Sequence, residues 1–145
     1  MKNYEIYLIR HGENSLPYPN VGKVYVSPNI ACTIAAQSFY PKHTLHTAMD
    51  FRERDPAETD EQFALRCVCA LNLLFSDLTR SGITKAAIIT DEEAIVTLVA
   101  GCGLPKGDPV EFMLEPGEGW LISMCTYLWQ KGNTFEIVGK LTLNE

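Results

Sequence analysis

The sequence is short of positive charge. Its 12 lysine and arginine residues are outnumbered by 18 aspartate and glutamate residues, which leaves a formal net charge of −6. Non-specific binding of nucleic acid needs a basic surface against the phosphate backbone, and an excess of acidic residues disfavours such a surface. We therefore expect no nucleic-acid partner. Any anionic ligand would need a local group of positive side chains.

Long hydrophobic runs and paired cysteines are also missing. No stretch approaches the ~18 consecutive apolar residues that cross a membrane, and the first residues contain no apolar core of the kind found in signal peptides. The five cysteines form an odd set without a Cys-x-x-Cys pair, so no disulfide framework, zinc motif or redox motif is indicated. We expect reduced, buried thiols, no metal, no cofactor, no membrane partner, and the cytoplasm as the location.

Strand-like and helix-like segments alternate along the chain. Short β-rich runs at 4–9, 24–26 and 85–89 each end in a polar turn, and helical patterns follow the second and third runs. A chain of 145 residues is long enough for one hydrophobic core. The alternation predicts a single domain over residues 1–145. Its fold class is α/β, a three-layer α/β/α sandwich with a mostly parallel central sheet and helices on both faces.

Local signals set the expected boundaries of the elements. Ser27 precedes a proline and predicts the N-cap of a first helix, and residues 45–51 predict a strand. A capping box at Thr59 predicts the start of a long helix. Residues 120–127 and 134–143 predict two antiparallel strands joined by a Lys-Gly-Asn turn, at or near the edge of the sheet.

The most informative motif is Arg10-His11-Gly12, which follows the first strand directly. A neutral imidazole is a competent nucleophile towards phosphorus, and an arginine offers a bidentate fork to phosphate oxygens. A glycine lets the backbone approach an anion closely. The motif therefore predicts a phosphoryl site at the end of the first strand, although a buried turn histidine would also fit the pattern.

The segment 8–13, which contains this motif, resembles the signature of the histidine phosphatase (phosphoglycerate mutase-like) family. Residues 24–28 are similar to the family's second strand and its Ser-Ser-Pro segment, and residues 51–55 to the segment that carries its acidic proton donor. Residues 86–90 and the helix after them are similar to its penultimate strand and helix. The resemblance covers nearly the whole chain and implies a phosphoglycerate mutase-like fold and a phosphomonoester hydrolase.

The resemblance also implies a role for each candidate site residue. Arg10 and Gly12 would bind the phosphoryl oxygens, and His11 would attack phosphorus to form a phosphohistidine. Glu53 would be the general acid, although a surface charge paired with a neighbouring arginine explains it equally well. Asp91 stands where the family has its second active-site histidine, and it would handle a proton in place of that residue.

The chain departs from the family pattern at several positions. Ala31 occupies the place of a second phosphate-binding arginine, and residues 91–93 are Asp-Glu-Glu in place of His-Gly-Gly. These three carboxylates would each repel a phosphate dianion by roughly 1 kcal/mol in water. They would also suit the start of a helix, or a cationic ligand. Residues 15–20 form a short, proline-rich loop where the family inserts a helix, which predicts an open pocket wall.

These departures leave two functions open. The first is a weak or altered phosphatase that acts on a phosphorylated small molecule or a phosphoprotein. The second is a catalytically inactive relative that serves as a ligand- or protein-binding module. A salt bridge from Arg10 to Asp91 or Glu92 would favour the second function, because it would occupy the phosphate-binding guanidinium. The sequence indicates no oligomeric state.

Overall fold

The computed structural model describes residues 2–13 and 17–141. The strands are β1 (Tyr4–Arg10), β2 (Lys23–Val26), β3 (Leu45–Thr47), β4 (Lys85–Thr90), β5 (Gly103–Leu104), β6 (Gly119–Met124) and β7 (Phe135–Leu141). The helices are α1 (Ile30–Phe39), α2 (Asp60–Ser81), α3 (Glu92–Cys102) and α4 (Thr126–Gly132), with short 3-10 helices at Met49–Phe51 and Pro109–Phe112. No helix in the described ranges is long and apolar enough to cross a membrane.

The seven strands form one sheet in the order β3-β2-β4-β1-β6-β7-β5. Neighbouring strands are parallel except on the two sides of β6, which pairs antiparallel with β1 and with β7. Successive side chains of β4 point to opposite faces. Ile88 belongs to the core shared with α2 and α3, and Ile89 to the core shared with α1. The predicted mostly parallel α/β/α sandwich is therefore confirmed.

Two boundaries in the first half of the chain differ from the predictions. Asn29, not Ser27, caps α1, since its side-chain oxygen accepts from the Cys32 N–H at 2.8 Å. Ser27 is still extended and fully buried, and its hydroxyl donates to the Phe51 carbonyl at 2.6 Å. The strand predicted over 45–51 is half right, because β3 gives way to a 3-10 helix that buries Phe51.

The carboxyl-terminal pair of strands is confirmed, but its connection is not a turn. The chain between β6 and β7 forms α4, because Trp129 inserts into the core and its indole N–H donates to Asn72 at 2.9 Å. Strand β7 is covered on its outer side by β5. The last two residues of the strand predicted over 134–143, and the first two of the loop 15–20, lie outside the described residues.

The segment 114–118 lies across the end of β1. The Gly117 N–H donates to the Arg10 carbonyl at 3.0 Å. Gly12 has a φ of +138°, a conformation that L side chains rarely adopt, and a Cβ at this position would overlap the Cβ of Pro116. Glycine is therefore required at Gly12 by the backbone and by its contact with this segment.

Arg66 of α2 holds the segment that carries Glu53. Its Nη1 donates to the carbonyls of Asp50 and Arg52 at 2.8 and 2.9 Å, and its Nη2 donates to the carbonyl of Glu53 at 3.3 Å. The same guanidinium forms two hydrogen bonds with the Glu58 carboxylate, at 2.9 and 2.6 Å. These bonds lower the pKa of Glu58 to about 2. One side chain thus ties three carbonyls to the long helix.

The contact of Gly12 with Pro116 predicts a large effect on stability. Gly12→Ala should lower the free energy of unfolding by roughly 2–4 kcal/mol, because the added methyl group meets both backbone strain and overpacking. Gly101→Ala is the matched control, since Gly101 lies in α3 with open space around it and should stabilise the helix by about 0.5–1 kcal/mol. Urea unfolding of both variants measures the difference, and equal effects would contradict this interpretation.

The lowered pKa of Glu58 predicts a dependence of stability on pH. A carboxyl whose pKa falls from 4.5 to about 2 on folding stabilises the protein above its unfolded pKa, and this contribution is lost as pH falls through the folded pKa. Glu58→Gln should therefore be less stable than wild type at neutral pH, and the gap should narrow between about pH 5 and about pH 2. Denaturant unfolding at each pH, with exposed Glu61→Gln as control, tests this. A gap that is independent of pH would disprove it.

Candidate active site

The parallel pairing of β1 with β4 brings two predicted site residues together. Arg10 lies opposite Thr90 in the register, and the N–H of His11 donates to the Thr90 carbonyl at 3.2 Å. Asp91 follows, and its Oδ1 lies 3.1 Å from Nε2 of His11. Asp91 is also the N-cap of α3, but its side chain makes no capping hydrogen bond. Its carboxylate therefore engages the imidazole in place of the helix end.

One terminal nitrogen of the Arg10 guanidinium is already occupied by protein atoms. Its Nη1 donates to the carbonyl of Leu114 and lies 3.5 Å from Oε2 of Glu92. The same carboxylate oxygen accepts the backbone N–H of Leu114 at 2.7 Å. These contacts join Arg10, Glu92 and Leu114. They thereby connect β1, α3 and the segment 114–118. This is the arrangement that the sequence analysis associates with an inactive site.

Pro116 fills the space beside the Cα of Gly12, on the side where a Cβ would lie. A cavity of about 270 Å³ does border Arg10, but His11 does not line it. Its lining residues are Arg10, Glu92, Met113, Leu114, Glu115, Glu118 and Lys140. Three of these side chains are carboxylates and two are cations, so the cavity is a poor site for phosphate.

Glu53 lies close to the site without joining it. The side chain is exposed, and the buried setting that a general acid needs is not present. After burial and the charge of Asp91, its negative charge also contributes to raising the pKa of the Cys32 thiol.

No neighbouring arginine replaces the one missing at Ala31. Arg54 donates to Glu93 at 2.8 Å and to Asp60 at 2.7 Å, so its guanidinium is held by two carboxylates. Arg52 lies 3.8 Å from the carboxylate of Asp50. Both guanidinium groups therefore face carboxylates of the protein.

Cys32 lies beside His11 and Asp91, and the sequence analysis did not single it out. It is fully buried in the first turn of α1, and its Sγ lies 4.0 Å from Oδ1 of Asp91. Burial, with the negative charge of Asp91, raises the pKa of this thiol to about 12, so it is not a thiolate nucleophile at neutral pH. Side-chain donor atoms of His11, Cys32 and Asp91 all lie within 4.8 Å of one another. In the sequence, the only signal that could have pointed to Cys32 is its position at the start of a helix beside the site.

Neither a protein-family model nor a curated protein matches the sequence. Solved structures do match. A phosphoglycerate mutase from Bacillus anthracis aligns with a TM-score of 0.76 and 11% identity, over 95% of this chain and 92% of that chain. An alpha-ribazole phosphatase from Shigella flexneri aligns with a TM-score of 0.69 and 12% identity, over 95% of this chain and 96% of that chain.

The protein histidine phosphatase SixA, solved with tungstate, aligns with a TM-score of 0.61 and 13% identity, over 95% of this chain and 96% of that chain. Each alignment spans nearly the full length of both chains, so the similarity extends to the whole architecture. Identities this low establish the fold alone. The chain has the phosphoglycerate mutase-like fold of the histidine phosphatases.

Proposed function

We propose that this chain is a catalytically inactive relative of the histidine phosphatases that keeps their fold as a ligand- or protein-binding module. The observation that carries this proposal is the occupation of the Arg10 guanidinium by Glu92 and the Leu114 carbonyl. Arg10 is the side chain assigned by resemblance to hold phosphate, and the second arginine is replaced by Ala31. With Nη1 of Arg10 engaged and the second arginine absent, the charge of a transferring phosphoryl group is poorly balanced.

His11 is also poorly prepared to attack phosphorus. Its Nε2 lies 3.1 Å from Oδ1 of Asp91, so a carboxylate stands beside the nitrogen that would attack phosphorus. The negative charge of this carboxylate repels a phosphate dianion. Asp91 therefore hinders the approach of a phosphoryl group to this nitrogen.

The expected losses in rate and the expected repulsion of phosphate favour an inactive protein. Removal of one preorganised charge-stabilising donor typically costs ~10²–10³ in rate, so loss of both the second arginine and the second histidine would cost roughly 10⁴–10⁶ if the effects were independent. Glu92 and Asp91 add repulsion of about 1 kcal/mol each in water and several kcal/mol at a lower effective dielectric constant. Together these terms leave little of an ordinary phosphatase rate.

Residual phosphatase activity is the second candidate, and the intact Arg10-His11-Gly12 motif at the expected strand end favours it. The similar structures include a phosphoglycerate mutase, an alpha-ribazole phosphatase and a protein histidine phosphatase. An active chain would therefore be expected to act on a phosphorylated small molecule or a phosphoprotein, through a phosphohistidine on His11.

A direct assay separates the two candidates. Wild type and His11→Ala are each incubated with an aryl phosphate between roughly pH 5 and pH 8, the range in which an imidazole changes charge, with a chelator present. We expect both proteins to release phosphate at the rate of the buffer, because Arg10 and His11 are both engaged. Turnover that disappears in His11→Ala would show a working phosphatase and overturn the proposal.

The occupation of Arg10 predicts that phosphate binding can be partly restored. Glu92→Gln removes one negative charge, and the amide oxygen of glutamine can still accept the Leu114 N–H. Binding of inorganic phosphate should tighten about tenfold, because a like charge near ~4 Å costs about 1 kcal/mol or more. Isothermal titration calorimetry of wild type and variant measures this change.

Glu93→Gln is the matched control for this experiment. It makes the same change in net charge on the same turn of α3, but Glu93 pairs with Arg54 and not with Arg10. The control should bind phosphate nearly as weakly as wild type. Equal tightening in both variants would mean that general charge, and not the Glu92 contact, limits phosphate binding.

A further inference from the structure

Three side chains of different chemistry converge where the first and fourth strands end. His11 follows β1, Asp91 follows β4, and Cys32 lies in the first turn of α1. Oδ1 of Asp91 lies 3.1 Å from Nε2 of His11 and 4.0 Å from Sγ of Cys32. All three donor atoms lie within 4.8 Å of one another. One imidazole, one thiol and one carboxylate therefore share a space of the size that a single ion occupies.

The spacing suits tetrahedral coordination. Zinc bonds of ~2.0–2.1 Å to nitrogen, ~2.0–2.2 Å to oxygen and ~2.3 Å to sulfur put tetrahedral ligand atoms roughly 3.3–3.6 Å apart. The two distances from Asp91 bracket this value. The donor atoms of Cys32 and His11 lie within 4.8 Å of each other, so the two side chains would approach by up to about 1 Å when they bind an ion. Three protein ligands with an open fourth position is the pattern of catalytic zinc sites.

The ligand set also selects the class of metal. Thiolate and imidazole ligands suit zinc and neighbouring transition metals, whereas magnesium and calcium prefer oxygen ligands alone. Cys32 is fully buried, but the side chains of His11 and Asp91 are 32% and 24% exposed. An ion can therefore reach the three donors from solvent, and water can take the fourth position.

Neighbouring residues position the donors, and the nearby cations pair with other carboxylates. Asn29 accepts the Cys32 N–H with its side-chain oxygen, and its Nδ2 lies 3.5 Å from Oδ1 of Asp91. Such second contacts orient metal ligands in many sites. The nearby cations do not compete, because Arg10 faces Glu92 and Arg54 faces Glu93 and Asp60.

We propose that His11, Cys32 and Asp91 bind one divalent transition-metal ion of the zinc class. This inference rests on the proposed function, since it gives the site that no longer holds phosphate a cation as its ligand. On binding, Cys32 releases its thiol proton to solvent, and His11 coordinates as a neutral imidazole through the lone pair of Nε2. Three lone pairs then face the ion.

The test uses cobalt as a spectroscopic substitute for zinc. The reduced, metal-free full chain is titrated with Co²⁺, and one equivalent should produce a thiolate-to-cobalt charge-transfer band together with visible ligand-field bands. Excess Zn²⁺ should remove both, whereas Mg²⁺ should not. Cys32→Ser should lose the charge-transfer band, and Cys69→Ser, which changes the exposed cysteine, should keep it.

Asp91→Asn provides a second variant at a partly exposed position, so that misfolding of the buried Cys32→Ser would not decide the result. Its affinity for Zn²⁺, measured by competition with a chromophoric chelator, should fall at least about tenfold, the scale on which ligand-shell changes act. Absence of the charge-transfer band in wild type would overturn the metal site. A band lost in Cys69→Ser and retained in Cys32→Ser would overturn it equally.

Failure of the metal site and failure of the proposed function give different results. A chain without a cobalt band and without phosphatase turnover would be an inactive relative that has some other ligand. A chain with turnover that depends on His11 in the presence of chelator would contradict the proposed function, whatever its cobalt spectrum.

Discussion

The parallel pairing of β1 with β4 is the constraint on which both the fold and the candidate site depend. Leu8 faces the core beneath α2 and α3, and Ile9 faces the core beneath α1, so a slip of one residue would exchange the two faces of the strand. The same register places His11 beside Asp91 as the two strands end. Hydrophobic burial thus fixes the geometry of the polar residues that follow.

The charged residues at the carboxyl ends of β1 and β4 disfavour the binding of an anion. The N-terminus of a helix usually attracts phosphate, but α3 begins with two glutamates after an aspartate. Glu92 and Glu93 each pair with an arginine, and Asp91 contacts His11. The phosphoglycerate mutase-like fold therefore surrounds a group of carboxylates here, and both Arg10 and Arg54 face carboxylates of α3.

Contacts between distant segments complete the site. Arg66 reaches from α2 to three carbonyls of the segment that carries Glu53, and the segment 114–118 covers Gly12 and supplies a carbonyl to Arg10. These partners are backbone groups, which every residue possesses. A sequence pattern cannot identify them, since only the packed chain shows which carbonyl an arginine reaches.

The sequence by itself determined the α/β class, the long capped helix and the position of Arg10-His11-Gly12 after the first strand, because periodicity, capping and strand ends are local properties. It did not determine the partners of those residues. Arg10 and Glu92 are 82 positions apart, and Cys32 and Asp91 are 59 apart. Only the tertiary structure decided that a carboxylate would occupy the arginine and that a thiol would lie beside the aspartate, because both contacts arise from the docking of helices on opposite faces of one sheet.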